Sequence, residues 1–324
     1  MDTADGLISA LVLDGAGAAR TSDAAGVDAW SADDGPLWLH LERKHPQTET
    51  WLRESSGLSD LVVAALLAAD ARPRCTPHPG GLFVVLRGVN LNPGAEPDDM
   101  ISLRLWVDAH RVISLRTPKL MAAQDLRDRL ESGVGPRDTG GLLTGLAAAL
   151  TERIAPVVVS LDNRIDDMEE SLLDTRGPTL RQDLAGARRQ AIALSRYLAP
   201  QREAVTRLAD LPGGPLSNDD RARLREWANR TTRYLEDLGA LRERAALIQE
   251  ELLARHSDSM NRTMYILSLV AAIFLPLGLL TGLLGINVGG MPGVDSPGAF
   301  FWVCLGLVVL GVIEYLVLRW WKLL

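Results

Sequence analysis

Five short apolar-rich stretches near the start of the chain have the length of strands: Leu7 to Leu13, Leu37 to Leu41, Gly81 to Arg87, Ile101 to Val107 and Arg111 to Leu115. Ser-, Asp- and Gly-rich turns separate them. A helix is expected around Thr48 to Ala69, so residues 1–117 read as a mixed α/β domain. From about Pro118 the period becomes helical. Ile154, Val158, Leu161, Ile165, Met168 and Leu172 alternate spacings of four and three, a heptad seam. A second helix is expected from roughly Thr179 to Leu208. A third seam runs through Leu224, Trp227, Thr231, Tyr234, Leu238, Leu241, Ala245, Ile248 and Leu252, with Ser217 as N-cap and Asp219 and Asp220 in the first turn. Only Gly239 and Pro276 argue against unbroken helix from Asn218 to Ile286, 69 residues. At 1.5 Å per residue such a rod is roughly 100 Å long.

The end of the chain changes character. Met264 to Ile286 is 23 residues without a charge, and Ala299 to Leu318 is 20 residues with Glu314 alone. Each reaches the roughly 20 residues that an α-helix needs to cross a bilayer. The linker Asn287 to Gly298 has no Lys or Arg, whereas Arg255 and Arg262 precede the first run and Arg319 and Lys322 follow the second. The positive-inside rule then places both termini in the cytoplasm and the linker outside, with Trp320 and Trp321 as an interfacial anchor. Met1 to Gly6 lacks a basic leader, so the large domain is expected in the cytoplasm with Cys75 and Cys304 reduced.

Composition sharpens this division. The chain has 324 residues and a net charge of −7, from 34 basic and 41 acidic residues. Four of those ionisable residues lie in 264–324 and cancel, so the whole surplus belongs to residues 1–263. An acidic surplus argues against a general nucleic-acid binder. The hydrophobic share of 47% excludes a disordered chain, and two Cys exclude a disulfide scaffold. No phosphate loop, dinucleotide fingerprint or nucleophile elbow occurs in the α/β part, which argues against an enzyme. Asp162 to Asp174 carries net −5 and Arg181 to Arg207 net +4, which suits complementary faces of an antiparallel hairpin turning at Arg176-Gly177-Pro178. A cytosolic acidic patch that handles cations is the alternative.

A soluble helix that continues into a membrane span serves as a signalling stalk or as the wall of a multi-copy pore. Asn261, Met264, Ser268, Ala271, Leu275, Gly278, Gly282 and Gly285 share one stripe of the expected helix, the stripe with the small and weakly polar residues. Small residues permit close helix packing, and they also leave room for water, so periodicity leaves both uses open. Gly285-Ile286-Asn287 adds an amide and several carbonyls just beyond the span. Neutral oxygens arranged as a symmetric ring can hold a divalent cation through its water shell.

With Gly285-Ile286-Asn287 in that position, preceded by Phe274-Leu275-Pro276-Leu277 and followed by Val288-Gly289-Gly290-Met291-Pro292-Gly293, the chain resembles the CorA-type divalent-cation transporters, and more closely their ZntB branch. Ile286 stands where the family's Gly-Met-Asn signature has Met. The resemblance implies an α/β cytoplasmic domain (1–117), a helical stalk and funnel (118–263), a pore helix (264–286), an external loop (287–298), a second span (299–318) and a short cytoplasmic tail (319–324). It implies a homopentameric funnel in a bacterial inner membrane, with Asn287 as the main cation-binding residue and Gly285 and Ile286 shaping its loop. Asn261, Met264, Leu267, Leu275 and Gly278 match family positions along the pore, and Glu250 matches an acidic position of the inner funnel, although by itself Glu250 reads as a solvated stalk charge.

The expected partners are a divalent cation, membrane lipid and further copies of the chain. No cofactor is implied, because the metal is cargo. Neither span contains His, and Cys304 is the one thiol in either, so no site strips the water from zinc. His40, His45, His78, His110 and His256 are scattered, and the Cys75–His78 pair reads as incidental. Zinc, favoured over magnesium, rests on the resemblance. Glu314 lies about one turn from the cytoplasmic end of its span, where reaching the interface or a basic neighbour would satisfy it; coupling of zinc uptake to protons is the alternative role. A CorA-like magnesium or cobalt channel is the same-class rival, and a membrane-anchored signalling or scaffold protein is the different-class rival.

Overall fold

The computed structural model describes residues 6–69, 72–171, 177–286, 293 and 296–321. Two compact units divide the chain, Met1–Gln249 and Glu250–Leu324.

The first unit is built on a seven-stranded sheet: β1 (Leu7–Leu13), β2 (Ala19–Ser22), β3 (Leu37–Glu42), β4 (Arg74–His78), β5 (Gly81–Gly88), β6 (Ile101–Val107) and β7 (Arg111–Arg116). Their order is β2-β1-β3-β7-β6-β5-β4, with β3 and β7 parallel and the remaining neighbours antiparallel. All five expected strands are present to within a residue. The two unforeseen ones, β2 and β4, are the sheet's edges. Edge strands bury one side at most, so Arg20, Thr21 and Pro77 are tolerated there and blur the apolar pattern.

Helices cover both faces. On one lie α1 (Ala24–Asp28), α2 (Pro46–Glu54) and α3 (Asp60–Leu67), packing Leu52, Val63 and Leu66 against Leu39, Phe83, Ile113 and Leu115. The single helix expected over 48–69 is two, because Gly57 takes φ +68° and Ser56 turns its hydroxyl back to the Leu52 carbonyl at 2.5 Å. On the other face lie α4 (Met121–Glu131) and α5 (Thr139–Glu152), with the end of α7 (Gly177–Asp210) and the start of α8 (Asn218–Leu284), while α6 (Ala155–Glu170) packs against α7. Leu126, Leu143, Leu146 and Leu150 join Leu103, Leu105 and Val84 in this second core, with Leu208 and Leu224 from the long helices.

Local chemistry fixes several element ends. Arg43 and Arg104 donate to the carbonyls of Leu67 and Ala68, the orphan acceptors at the end of α3. Arg153 pairs with Asp125 through two 2.6 Å bonds, tying the end of α5 to α4. Ser217 caps α8 as expected. Its hydroxyl accepts from the Asp220 amide at 3.1 Å while Asp220 accepts from the Ser217 amide at 3.0 Å, a reciprocal capping box. Arg221 donates to the carbonyls of Ala209, Leu211 and Gly213, closing the turn from α7 into α8.

The hairpin of α6 and α7 packs through apolar side chains, Leu161, Ile165 and Met168 on one helix and Leu184, Ala187 and Ala191 on the other. Its charges pair differently from the expected complementary faces. Arg244 of α8 takes Asp162 at 3.1 Å, Asp166 at 2.5 Å and Glu169 at 2.7 Å. Asp162, Asp166 and Glu169 are spaced four and three, so they share one side of α6 and converge on one guanidinium. The hydrogen bonds that Arg244 donates to Glu169 and Asp166 hold its proton more tightly than usual. The turn residue Arg176 lies outside the described residues, as does Asp174.

The second unit contains the rest of α8 and α9 (Ala299–Trp320). Among the described residues, three stretches are long and apolar enough to span a membrane: 139–170, α8 and α9. Residues 139–170 contribute to the core of the first unit, with 61% of the apolar window buried, whereas the windows in α8 and α9 have none buried and mean hydropathies of 2.3 and 2.4.

Candidate ion pathway

The α8 seam is buried through Leu224, Thr231, Leu238, Leu241, Ala245 and Ile248, and burial then stops. Glu250 is exposed. Beyond it the helix presents two different sides. Leu269, Ile273, Pro276 and Leu277 are partly covered, and Leu280 and Leu284 line an apolar groove of about 390 Å³ with Val303, Gly306, Leu307 and Ile313 of α9. At 100° per residue these positions fall on one side of α8. Asn261, Met264, Leu267, Ser268, Ala271, Leu275, Gly278 and Gly282 fall on the opposite side, and all are exposed.

This separation bears directly on the choice left open by periodicity. The small residues do not serve contact with α9, which packs against the other side. A Cβ added at Gly278 or Gly282 would meet no heavy atom within 4 Å. The stripe is therefore free, within one chain, to face further copies or water. It carries no charge from Met264 onward, and the hydroxyl of Thr281 donates to the Leu277 carbonyl at 3.0 Å, satisfied within its own helix.

The helix ends at Leu284, and Gly285 closes its last turn by donating to the Thr281 carbonyl at 2.9 Å. Ile286 follows and is exposed. Asn287 lies outside the described residues, so the expected binding position has no side-chain geometry here. Among the described residues no three His, Cys, Asp or Glu side chains gather to hold a metal. Cys75 is buried in β4, where burial pushes its thiol up to about 11. That is the behaviour of a core residue, in keeping with an incidental Cys75–His78 pair.

Glu314 differs from its simplest explanation. Among the described residues both carboxylate oxygens are buried and have no hydrogen-bond partner, so the side chain reaches neither solvent nor any described basic group. It sits one residue after Ile313 on the side of α9 that carries Val303, Leu307 and Leu310. The acid is turned toward α8. Another residue that spacing did not single out is Arg244; its signal is its place beside the seam, three after Leu241 and four before Ile248.

Known proteins resemble the chain along most of its length. The family described as CorA-like Mg2+ transporter protein matches residues 33–319. The chain is 42% identical over 321 residues to the divalent cation transporter CmaX of Pseudomonas aeruginosa, covering 98% of this chain and 95% of that one. It is 39% identical over 275 residues to the zinc transport protein ZntB of Pectobacterium atrosepticum, covering 85% and 84%. The solved full-length CmaX structure superposes with a TM-score of 0.87 at 41% identity, covering 98% of each chain. The CorA magnesium transporter of Methanocaldococcus jannaschii shares the fold, with a TM-score of 0.83 at 18% identity over 96% of this chain and 98% of that one.

Proposed function

The chain belongs to the CorA-like Mg2+ transporter family, and from that premise we propose that it carries zinc across the bacterial inner membrane through a pore assembled from five copies. Divalent cation transport, and not enzymatic chemistry, is the established part, since the relatives matched along nearly the whole chain are transporters. That membership also displaces the signalling-scaffold reading.

One observation carries the pore proposal: the uncharged α8 stripe faces away from α9 and leads to Gly285-Ile286-Asn287. Five such stripes enclose a path wide enough for a hydrated ion. Small residues at Ala271, Gly278 and Gly282 leave room for water, whereas rings of Met264, Leu267 and Leu275 block ions when the path dewets. Asn287, at the outer mouth, offers amide oxygens to the ion's water shell, with Gly285 and Ile286 setting the loop. Residues 118–263 act as stalk and funnel, 264–286 and 299–318 as spans, 287–298 as the outer loop and 319–324 as an inner tail. Glu250 then adds negative charge at the inner funnel.

Zinc is favoured because ZntB relatives are named for zinc transport; the magnesium reading draws on the family's own description. Uptake into proteoliposomes separates them. Zinc flux that persists under excess Mg2+ supports zinc, and flux abolished by Mg2+ supports the magnesium channel. Asn287→Ala is expected to cut flux at least tenfold with the assembly intact; unchanged flux overturns the role of Asn287. Uptake driven by protons would require a protonatable group in a span, and Glu314→Gln then flattens the pH dependence of flux.

A further inference from the structure

The α6–α7 hairpin carries two charged edges that its own fold leaves unmatched. On α7, Gln190 accepts from Arg164 of α6 at 3.0 Å, and Asp183 lines a cleft with Arg164 and Met168, so both positions face α6. At 100° per residue Arg181, Arg188 and Ile192 fall on the opposite edge of α7. All three are exposed, and among the described residues neither arginine has a carboxylate partner.

The edge of α6 turned away from α7 has the opposite sign. Asp162, Asp166, Glu169 and Glu170 lie along it beside Val159, an aliphatic side chain that is 57% exposed. Arg244 of α8 bonds three of these carboxylates, yet each stays about half exposed, and one guanidinium cannot neutralise four acids. The two edges suit each other, but one hairpin cannot bring its own outer edges together. A second copy can. In a ring of identical chains one patch of each copy meets a different patch of the next, so a basic and an acidic edge on one chain satisfy both sides of every contact.

The levels of the side chains agree with such a contact. The Arg164–Gln190 bond fixes the register of the antiparallel hairpin. Counting two residues from it in each direction puts Arg188 level with Asp166 and Ile192 level with Asp162, about 4.5 Å along the helix from Val159. Rotation about an axis along the helices keeps every level unchanged. We propose that the basic edge of α7 on one copy docks against the acidic edge of α6 on the next, with Arg188 joining the carboxylates of the Arg244 clasp and Ile192 meeting Val159. This rests on the five-copy reading and adds to it the contact that gives the ring its direction.

The test uses the full chain in lipid vesicles, with Cys304→Ser to remove the thiol of α9. Val159→Cys combined with Ile192→Cys should give, on mild oxidation, a ladder of covalent multimers that ends at five. Moving the second cysteine to Asp183, which faces α6 of its own chain, should abolish the ladder. Arg188→Glu added to the cross-linking pair should lower its yield about tenfold, and Glu170→Arg alongside should recover most of it. A ladder indifferent to Arg188→Glu overturns the charge pairing. Light scattering on the wild type separates the two readings: five copies without a ladder overturn the edge contact and leave the pentamer standing, whereas a single copy overturns both.

Discussion

His40 shows how one buried side chain is held in a single state by its neighbours. It lies in β3, 4% exposed, with Nδ1 2.8 Å from Ser114 Oγ and Nε2 accepting from Arg116 Nε at 3.2 Å. Ser114 accepts from Trp38 Nε1 and donates to the Leu39 carbonyl, so the Nδ1–H donates to Ser114 and the ring stays neutral. Burial, helped by the Arg116 and Arg127 charges, pushes its pKa down to about 3. The unfolded chain takes up that proton near pH 6.5, the folded one only near 3. The stability contributed by neutral His40 is therefore complete above about pH 6.5 and is lost as pH falls toward 3, by at most about 1.4 kcal/mol per pH unit. Thermal melts from pH 7 to pH 4 should show a shallower decline for His40→Phe than for the wild type; parallel declines would contradict the assignment. Arg116 is also lowered by its burial, offset by Glu42, which agrees with a guanidinium held inside the sheet's polar network.

At the scale of elements, the Arg244 clasp decides how α6 is tied to α8. The guanidinium and its three carboxylates are partly exposed, so each pair contributes about 0.2–1 kcal/mol, and salt weakens it. Arg244→Met is expected to lower the melting temperature at low ionic strength and to match the wild type more closely in high salt. A loss independent of salt would point to packing instead. Gly57 makes a different prediction for the joint between α2 and α3. Its φ of +68° disfavours any side chain, and nothing crowds a Cβ there, so Gly57→Ala should cost about 1 kcal/mol through backbone strain alone. Asparagine at the same position should cost less. The expected hairpin electrostatics failed because net charge along a helix does not say which of two neighbouring helices that side meets.

For the whole molecule, the free side of α8 is the feature that tests the pore. Cysteine at Leu275 or Gly278 should react with a water-soluble thiol reagent and block flux, whereas cysteine at Ile273, on the α9 side, should resist both effects. Gly282→Leu should close the path without disturbing the fold of one chain, since its side chain enters open space. A variant with normal flux would show that the stripe faces lipid. Light scattering on the detergent-purified protein reports whether five copies remain together.

Much of this architecture is local in origin and is therefore written in the order of residues. A chargeless run of 23 residues and one of 20 with Glu314 alone, the Ser217 cap and the heptad seam of α8 depend on neighbours a few positions apart, and all were readable from spacing. So was the small-residue stripe, though not its use. Contacts between distant segments decided the rest: the parallel pairing of β3 with β7, the edge strands β2 and β4, the neutrality of His40 and the partner of the α6 acids. Periodicity assigns a side chain to a face, but only packing determines what lies opposite that face. That is why Gly278 and Gly282 could be placed on one stripe from the sequence, while the tertiary structure was needed to show that α9 occupies the other side and that the Glu314 carboxylate oxygens are buried with no donor among the described residues.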